Sequence, residues 1–243
     1  MMDRRHLLLG LAATPLVACE TLDPAVIDGI LGGQGGLGAL TAGEVALGLK
    51  AALDNGVGNA LANVGVLDGF LGNDIVRIPL PKVLQDVQSF LAPIGADRLL
   101  VDLQTQLNRG AEKAAPVAKD IFLGAVRDLT ITDAFDILRG PDTAATEYLR
   151  GRTTDRLAQL FAPIMENALN QTGALRLVDD VSSQLKSVPF APNLGSDART
   201  DLIDHGVKYG LSGVFHYIGE EEKAIRADPA KRTSDILRRV FGA

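Results

Sequence analysis

The sequence predicts an all-α fold, arranged as one continuous multi-helix array over residues 41–243. Apolar residues recur three and four positions apart through most of this range, and helix-capping residues precede several of the runs. No convincing stretch alternates between apolar and polar residues, as a half-buried strand does. With 47% hydrophobic and 22% charged residues, the 243-residue chain has the composition of a globular protein.

The first predicted helix begins at a capping box, in which the Thr41 hydroxyl and the Glu44 carboxylate bond free amides of the first turn. Residues 66–81 then interrupt the helical pattern with four helix-breaking residues. We predict that they form a connection that is extended before each proline. The four residues are Gly69, Gly72, Pro79 and Pro81.

Helices are predicted next over 82–92 and 96–114, separated by a break at 93–95. Pro116 is predicted to start or kink the stretch that follows. A short helix is predicted to end at Arg139, with Thr132 as its capping residue.

Asp142 is predicted to cap the long helical segment that reaches Phe161. Another helix is expected over 174–186, and a long helix over 198–227 after a loop that contains Pro and Gly. The last helix is expected to begin near Asp228-Pro229, for a total of roughly eight to ten.

The N-terminus predicts export and lipid attachment. A basic start is followed by twelve mostly apolar residues at 7–18, too few to span a bilayer, as in a secretory signal peptide. Leu16-Val17-Ala18-Cys19 resembles the lipobox of bacterial lipoproteins, which implies cleavage after residue 18 and acylation of Cys19. We therefore expect a signal peptide over 1–18, and the anchor with a flexible Gly-rich tether over 19–40.

The same resemblance implies a location. Glu20 stands where an Asp commonly retains lipoproteins in the inner membrane, so the periplasmic face of the outer membrane is expected. Arg4-Arg5 resembles a twin-arginine signal, but ordinary Sec export fits as well. The formal net charge of −6 argues against nucleic acid as a partner. Removal of residues 1–18 takes away Arg4, Arg5 and Asp3 and leaves 22 basic and 29 acidic residues, so the acidic body is expected to be tethered to the membrane through acyl chains on Cys19.

Metal and cofactor chemistry finds little support in the sequence. His205 and His216 lie eleven residues apart on the predicted long helix, a rise of about 16 Å, so they cannot bind one ion. They form a polar and aromatic line with Tyr209, which is either a candidate groove or an ordinary helix face. Gly206, Gly210 and Gly213 of the same helix predict close approach of another segment.

Polar residues gather in four phrases at predicted helix junctions: Arg77 within RIPLP, then residues 108–112, 140–146 and 220–226. Their side chains either cap helices and pair with buried carboxylates, or converge on one concave polar site. The candidate residues for such a site are Arg77, Arg109, Asp142, Thr143, Glu221 and Arg226.

These four phrases, closed by Asp228-Pro229 and preceded by the lipobox-like motif, resemble the bacterial domain-of-unknown-function family 4197, found mainly in exported proteins. The resemblance covers about 41–242. It implies an all-helical domain and transfers no activity.

Three functions are consistent with these features. The first is a non-enzymatic binding or structural module of the envelope, which uses no cofactor or metal and has an envelope protein as its possible partner. The second is a carrier of an apolar or amphiphilic small molecule. The third is an enzyme that uses the polar residues at the junctions, although no catalytic residue can be assigned.

Overall fold

The computed structural model describes residues 41–95, 97–171, 173–189, 194–195, 197–228 and 238. Within these residues the regular secondary structure is helical and no strand occurs, so the predicted all-α fold is confirmed. The predicted signal peptide and the tether lie outside the described residues. So does the helix expected to begin near Asp228-Pro229, apart from Arg238, which is helical.

Two short 3-10 turns connect parts of the helical array. Ala92–Ile94 follows the second helix, and Ala115–Ala118, which contains Pro116, joins the third helix to the fourth. The α-helices are α1 (Ala42–Val64), α2 (Lys82–Leu91), α3 (Arg98–Ala114), α4 (Lys119–Arg127), α5 (Ile131–Arg139), α6 (Ala144–Gln171), α7 (Ala174–Leu185) and α8 (Ala198–Ala227).

Capping boxes set the start of two helices. The predicted one at α1 is confirmed: the Thr41 hydroxyl accepts from the Glu44 amide at 3.2 Å, and the Thr41 amide donates to the Glu44 carboxylate at 2.8 Å. At α5 the predicted capping residue was wrong. Thr130 caps the helix, because Asp133 stands three residues after it and completes the box, whereas Thr132 lies inside the helix.

The core lies around three long helices. α1 and α6 both pack on α8, and α3 packs on α6 and also contacts α8. Phe122 and Phe215 meet edge to face at 5.6 Å between ring centroids, an arrangement that aromatic pairs favour. None of the described helices is both long and apolar enough to cross a bilayer.

The glycines of α8 admit close neighbours, as predicted. A Cβ atom on Gly206 would lie 3.0 Å from Leu107 and 3.1 Å from Met165. A Cβ atom on Gly213 would lie only 2.5 Å from the ring of Phe70. Phe70 is completely buried, so this glycine lets the connection between α1 and α2 insert its aromatic side chain against α8.

Candidate functional site

Glu112 is a buried carboxylate on α3 that holds the connection between α1 and α2. Its Oε1 accepts hydrogen bonds from the backbone amides of Phe70 and Leu71, both at 3.2 Å. Its Oε2 accepts from Arg109 at 2.6 Å, and Arg109 also reaches Asp68 at 2.8 Å. The hydrogen bond to Glu112 raises the pKa of Arg109 above its ordinary value. We call this set the Glu112 junction.

Further polar side chains fix the end of the same connection. Asn108 forms a two-bond clamp on Ile78: its Oδ1 accepts from the Ile78 amide at 2.8 Å, and its Nδ2 donates to the Ile78 carbonyl at 3.0 Å. Asn73 donates to the Tyr217 hydroxyl on α8. A segment without regular structure is thus bound to α3 through its backbone and to α8 through the Asn73 side chain.

Arg77 stands at the outer side of this connection. Its Nε donates to the Leu71 carbonyl at 2.7 Å, and its guanidinium lies 3.2 Å from the carboxylate of Asp74. The Arg77 side chain is 43% exposed, in contrast to the 6% of Glu112. Arg77 and Glu112 nevertheless both bond the backbone of Leu71, and Arg109 bonds Glu112. The structure therefore brings Arg77 and Arg109 to the same segment.

Glu222 is a second buried carboxylate, placed on α8 at the start of α6. Its Oε1 accepts from the Ala145 amide at 3.0 Å, and its Oε2 accepts from the amide and the hydroxyl of Thr146, each at 2.8 Å. Arg226 donates to Oε1 at 2.9 Å and to the Ile137 carbonyl at the end of α5 at 2.8 Å. We call this set the Glu222 junction.

The remaining candidate residues lie around the Glu222 junction without entering the carboxylate's bonds. Asp142, the predicted cap of α6, is exposed, and the amides of the first turn are bonded by Glu222 instead. The methyl group of Thr143 faces Gly219 of α8, where an added Cβ would lie 3.8 Å from it. Glu221 points toward α1 and accepts from Asn59 at 3.2 Å.

The two decisive carboxylates were not among the residues selected from the sequence. A signal for Glu222 exists, because it continues the apolar stripe of Leu211, Val214 and Ile218 on α8 and lies one turn before Arg226. Glu112 carries a similar signal, three residues after Arg109 and next to the buried Ala111. An acidic residue in register with a buried face needs a partner, and that rule selects Glu222 over its neighbour Glu221.

The predicted line on α8 separates in the structure. His205 donates from Nε2 to the Pro79 carbonyl at 2.8 Å, since a carbonyl can only accept, and its ring lies 4.4 Å from that of Tyr209. Burial lowers the pKa of His205 below its ordinary value. His216 is exposed and its ring meets Tyr217 edge on, at 5.5 Å between centroids.

The helical body has a small cavity and two open grooves that could be considered as ligand sites. An apolar cavity between α1 and α8, walled on one side by Glu222 and Arg226, has about 20 Å³ of free space, room for a single water molecule. An open groove of about 570 Å³ runs between α6 and α8, and another of about 380 Å³ lies between α3 and α7. Only the grooves approach the size of a small-molecule site.

The chemistry of the junctions is that of hydrogen-bonded ion pairs. The oxygens of both carboxylates accept hydrogen bonds from backbone amides and from a guanidinium. Among the described residues, every buried side-chain nitrogen or oxygen has a hydrogen-bond partner. The same part of the chain contains no cluster of three His, Cys, Asp or Glu residues able to hold a metal ion. The arrangement positions helix ends and the connection.

Comparison with known proteins identifies the family. The model of a protein family described as "Protein of unknown function (DUF4197)" matches residues 39–242. The chain belongs to this family. The matched range includes all the helices from α1 to α8, and with them both junctions and both grooves. No curated protein and no solved structure matched the chain.

Proposed function

We propose that this DUF4197 protein is a lipid-anchored component of the bacterial envelope, whose helical body acts by binding. One observation carries the proposal: Cys19, the only cysteine of the chain, directly follows a short apolar segment that ends in small residues. Acyl chains on this residue would hold the body at the periplasmic face of the outer membrane, since more than one chain gives stable attachment.

The junctions support binding over catalysis. A catalytic acid or base needs an oxygen within reach of substrate, whereas the oxygens of Glu112 and Glu222 are bonded to backbone amides and arginines. An enzyme built on Arg77, Arg109, Asp142 and Glu221 has weaker support. Arg77 and Arg109 lie at the connection held by Glu112, whereas Asp142 and Glu221 lie around the Glu222 junction. A protein of the envelope is the partner class that fits this reading.

A second function, a carrier of an apolar or amphiphilic molecule, is favoured by one feature. The α6–α8 groove has about 570 Å³, within the range of ligand sites, and its lining includes Leu211 and Phe215. The small cavity between α1 and α8 gives no such support, because it has room for one water molecule only.

Metabolic labelling in a two-membrane bacterium tests the anchor. Cells that express the full chain are fed an alkyne-tagged fatty acid, and the membranes are separated by density. We expect the tag on the wild-type protein in the outer membrane and no tag on Cys19→Ser. The matched variant Glu20→Asp should keep the tag and move the protein to the inner membrane. An untagged, freely soluble wild-type chain would falsify the proposal.

A further inference from the structure

We propose that the groove between α6 and α8 binds a single-chain amphiphile with an anionic head group. This inference rests on the binding role proposed above and names a ligand class for it. The groove is lined by Arg150, Thr154 and Ala158 of α6 and by Asp204, Val207, Lys208, Leu211, Ser212 and Phe215 of α8.

The spacing of the lining residues makes the groove long and narrow. On α6 they follow each other at intervals of four, which places them in one row along the helix. On α8 they form two such rows, an inner apolar row that ends at Phe215 and an outer polar row that ends at Ser212. From Asp204 to Phe215 the helix rises about 16 Å, so the groove suits one extended hydrocarbon chain.

The two ends of the groove differ in charge. Arg150 stands at one end, with its guanidinium carbon 4.4 Å from the centre of the Phe215 ring. Because Arg150 lies beside the last lining residue of α8, the α6 row runs opposite to the α8 rows, and Ala158 lies toward Asp204 at the other end. An anionic head is therefore expected beside Arg150, and the chain is expected along the inner row.

The cationic residues exceed the acidic ones in this lining. Arg150 and Lys208 are its cations and Asp204 is its acidic residue, in a chain whose formal net charge is −6. The carboxylate of Glu147 lies 3.3 Å from Nε of Arg150, and the Glu147 side chain is 61% exposed. Such an exposed pair is weak, and a guanidinium has further donors for a carboxylate or phosphate.

The groove between α3 and α7 provides an internal comparison. Leu99, Leu103 and Leu177 give it an apolar lining, and the charged side chain among its described lining residues is Asp102. An apolar probe alone would bind both grooves, whereas an anionic amphiphile should select the α6–α8 groove.

Photolabelling of the full chain in its host membranes tests the proposal. The probe is dodecanoate with a diazirine at the end of its chain, and labelled peptides are mapped by mass spectrometry. We expect labels on the lining residues of α6 and α8. Dodecanol with the same diazirine should label them about tenfold less, the factor expected for the loss of one charge-assisted hydrogen bond.

Two variants remove the cations and one provides the matched control. Arg150→Met should lower labelling by dodecanoate about tenfold, because it removes the cation beside the head group. Lys208→Met removes a cation about 10 Å farther along α8 and should lower labelling less. Arg152→Met removes the same charge from the same helix at an exposed position beside Tyr148, and should leave labelling unchanged. Arg150→Gln, which also lacks the charge but keeps a polar side chain, decides the test if circular dichroism shows that Arg150→Met has lost helix.

A lysophosphatidate probe of equal chain length tests whether the groove prefers a phosphate or a carboxylate head group. Stronger labelling by either anion than by dodecanol supports the proposal. Equal labelling of the α3–α7 groove, equal labelling by dodecanol, or no effect of the cation variants would overturn it. Acylation of Cys19 is measured in the same membranes. Loss of groove labelling with acylated Cys19 rejects the groove alone, whereas an unmodified Cys19 rejects the anchor alone.

Discussion

The Glu112 and Glu222 junctions use the same chemistry on different targets. Each buried carboxylate accepts from two consecutive backbone amides and from an arginine on its own helix. Glu112 binds a connection that has no regular structure. Glu222 binds the N-terminus of α6, while Arg226 binds the C-terminal carbonyls of α5, so that the pair is matched to the dipoles of two helices.

The difference shows what each junction contributes to the body. The Glu112 junction keeps one loop against α3, and its Arg109 has a second partner in Asp68. The Glu222 junction joins three helices at one point, and the side chains of Glu222 and Arg226 are only 7% and 14% exposed. A buried pair that loses one member leaves an uncompensated charge, so the second junction should be more sensitive to substitution.

The largest effect is expected for Glu222→Gln. This substitution removes the buried charge that faces the largely enclosed Arg226 and should lower the free energy of unfolding by about 3–5 kcal/mol. Urea denaturation of the full chain measures it. Glu221→Gln is the matched control on the adjacent residue, and should change stability by less than about 0.5 kcal/mol. Similar losses for the two variants would contradict the role assigned to Glu222.

A smaller effect is expected for Glu112→Gln. Arg109 retains its bond to Asp68 and is 24% exposed, so the expected loss is that of a charged hydrogen bond, about 1.5–3 kcal/mol. Urea denaturation again reports the value. Asp68→Asn, which removes the more exposed partner, should cost less than about 1 kcal/mol. If Glu112→Gln proved as damaging as Glu222→Gln, the contrast between a loop junction and a helix junction would not hold.

The smallest effect is expected from pH at His205, which bonds the end of the connection held by Glu112. Burial lowers the pKa of His205 in the folded state, so the folded protein binds fewer protons than the unfolded chain. Its contribution to stability is complete above the ordinary value of 6.5 and is lost as the pH falls below that value. Between pH 7.5 and 5.5, the free energy of unfolding of His205→Gln should depend less on pH than that of the wild type. Parallel curves of free energy against pH would show that His205 is not the source of this dependence.

The sequence predicted most of the fold because helix periodicity and caps are local signals. The predicted bounds of α8, 198–227, agree with the structure, and the capping box of α1 was correct. At α5 the prediction chose the wrong threonine. Thr130 is followed three residues later by Asp133, which completes a capping box, whereas Thr132 is followed by Phe135. The α8 glycines correctly indicated close packing, but the identity of Phe70 as a neighbour depends on tertiary structure.

The polar junctions were only partly predictable. The phrases that contain Arg77, Arg109 and Arg226 were identified, and the structure places all three against backbone carbonyls or carboxylates. Their distribution over two junctions depends on how the helices pack, which no local pattern reports. Choosing Glu221 over Glu222 reflects the same limit, because adjacent residues on a helix point to different neighbours.

The pairing of α1 with α8 has a consequence for biogenesis. The hydrogen bond between Asn59 and Glu221 closes a span of 162 residues, and much of the first helix is buried against the last one described. Contacts so far apart in the chain form late and slowly. For the exported protein that we propose, the N-terminal half therefore lacks its packing partner until nearly the whole chain has been synthesised, which favours threading through a translocation pore before the body closes.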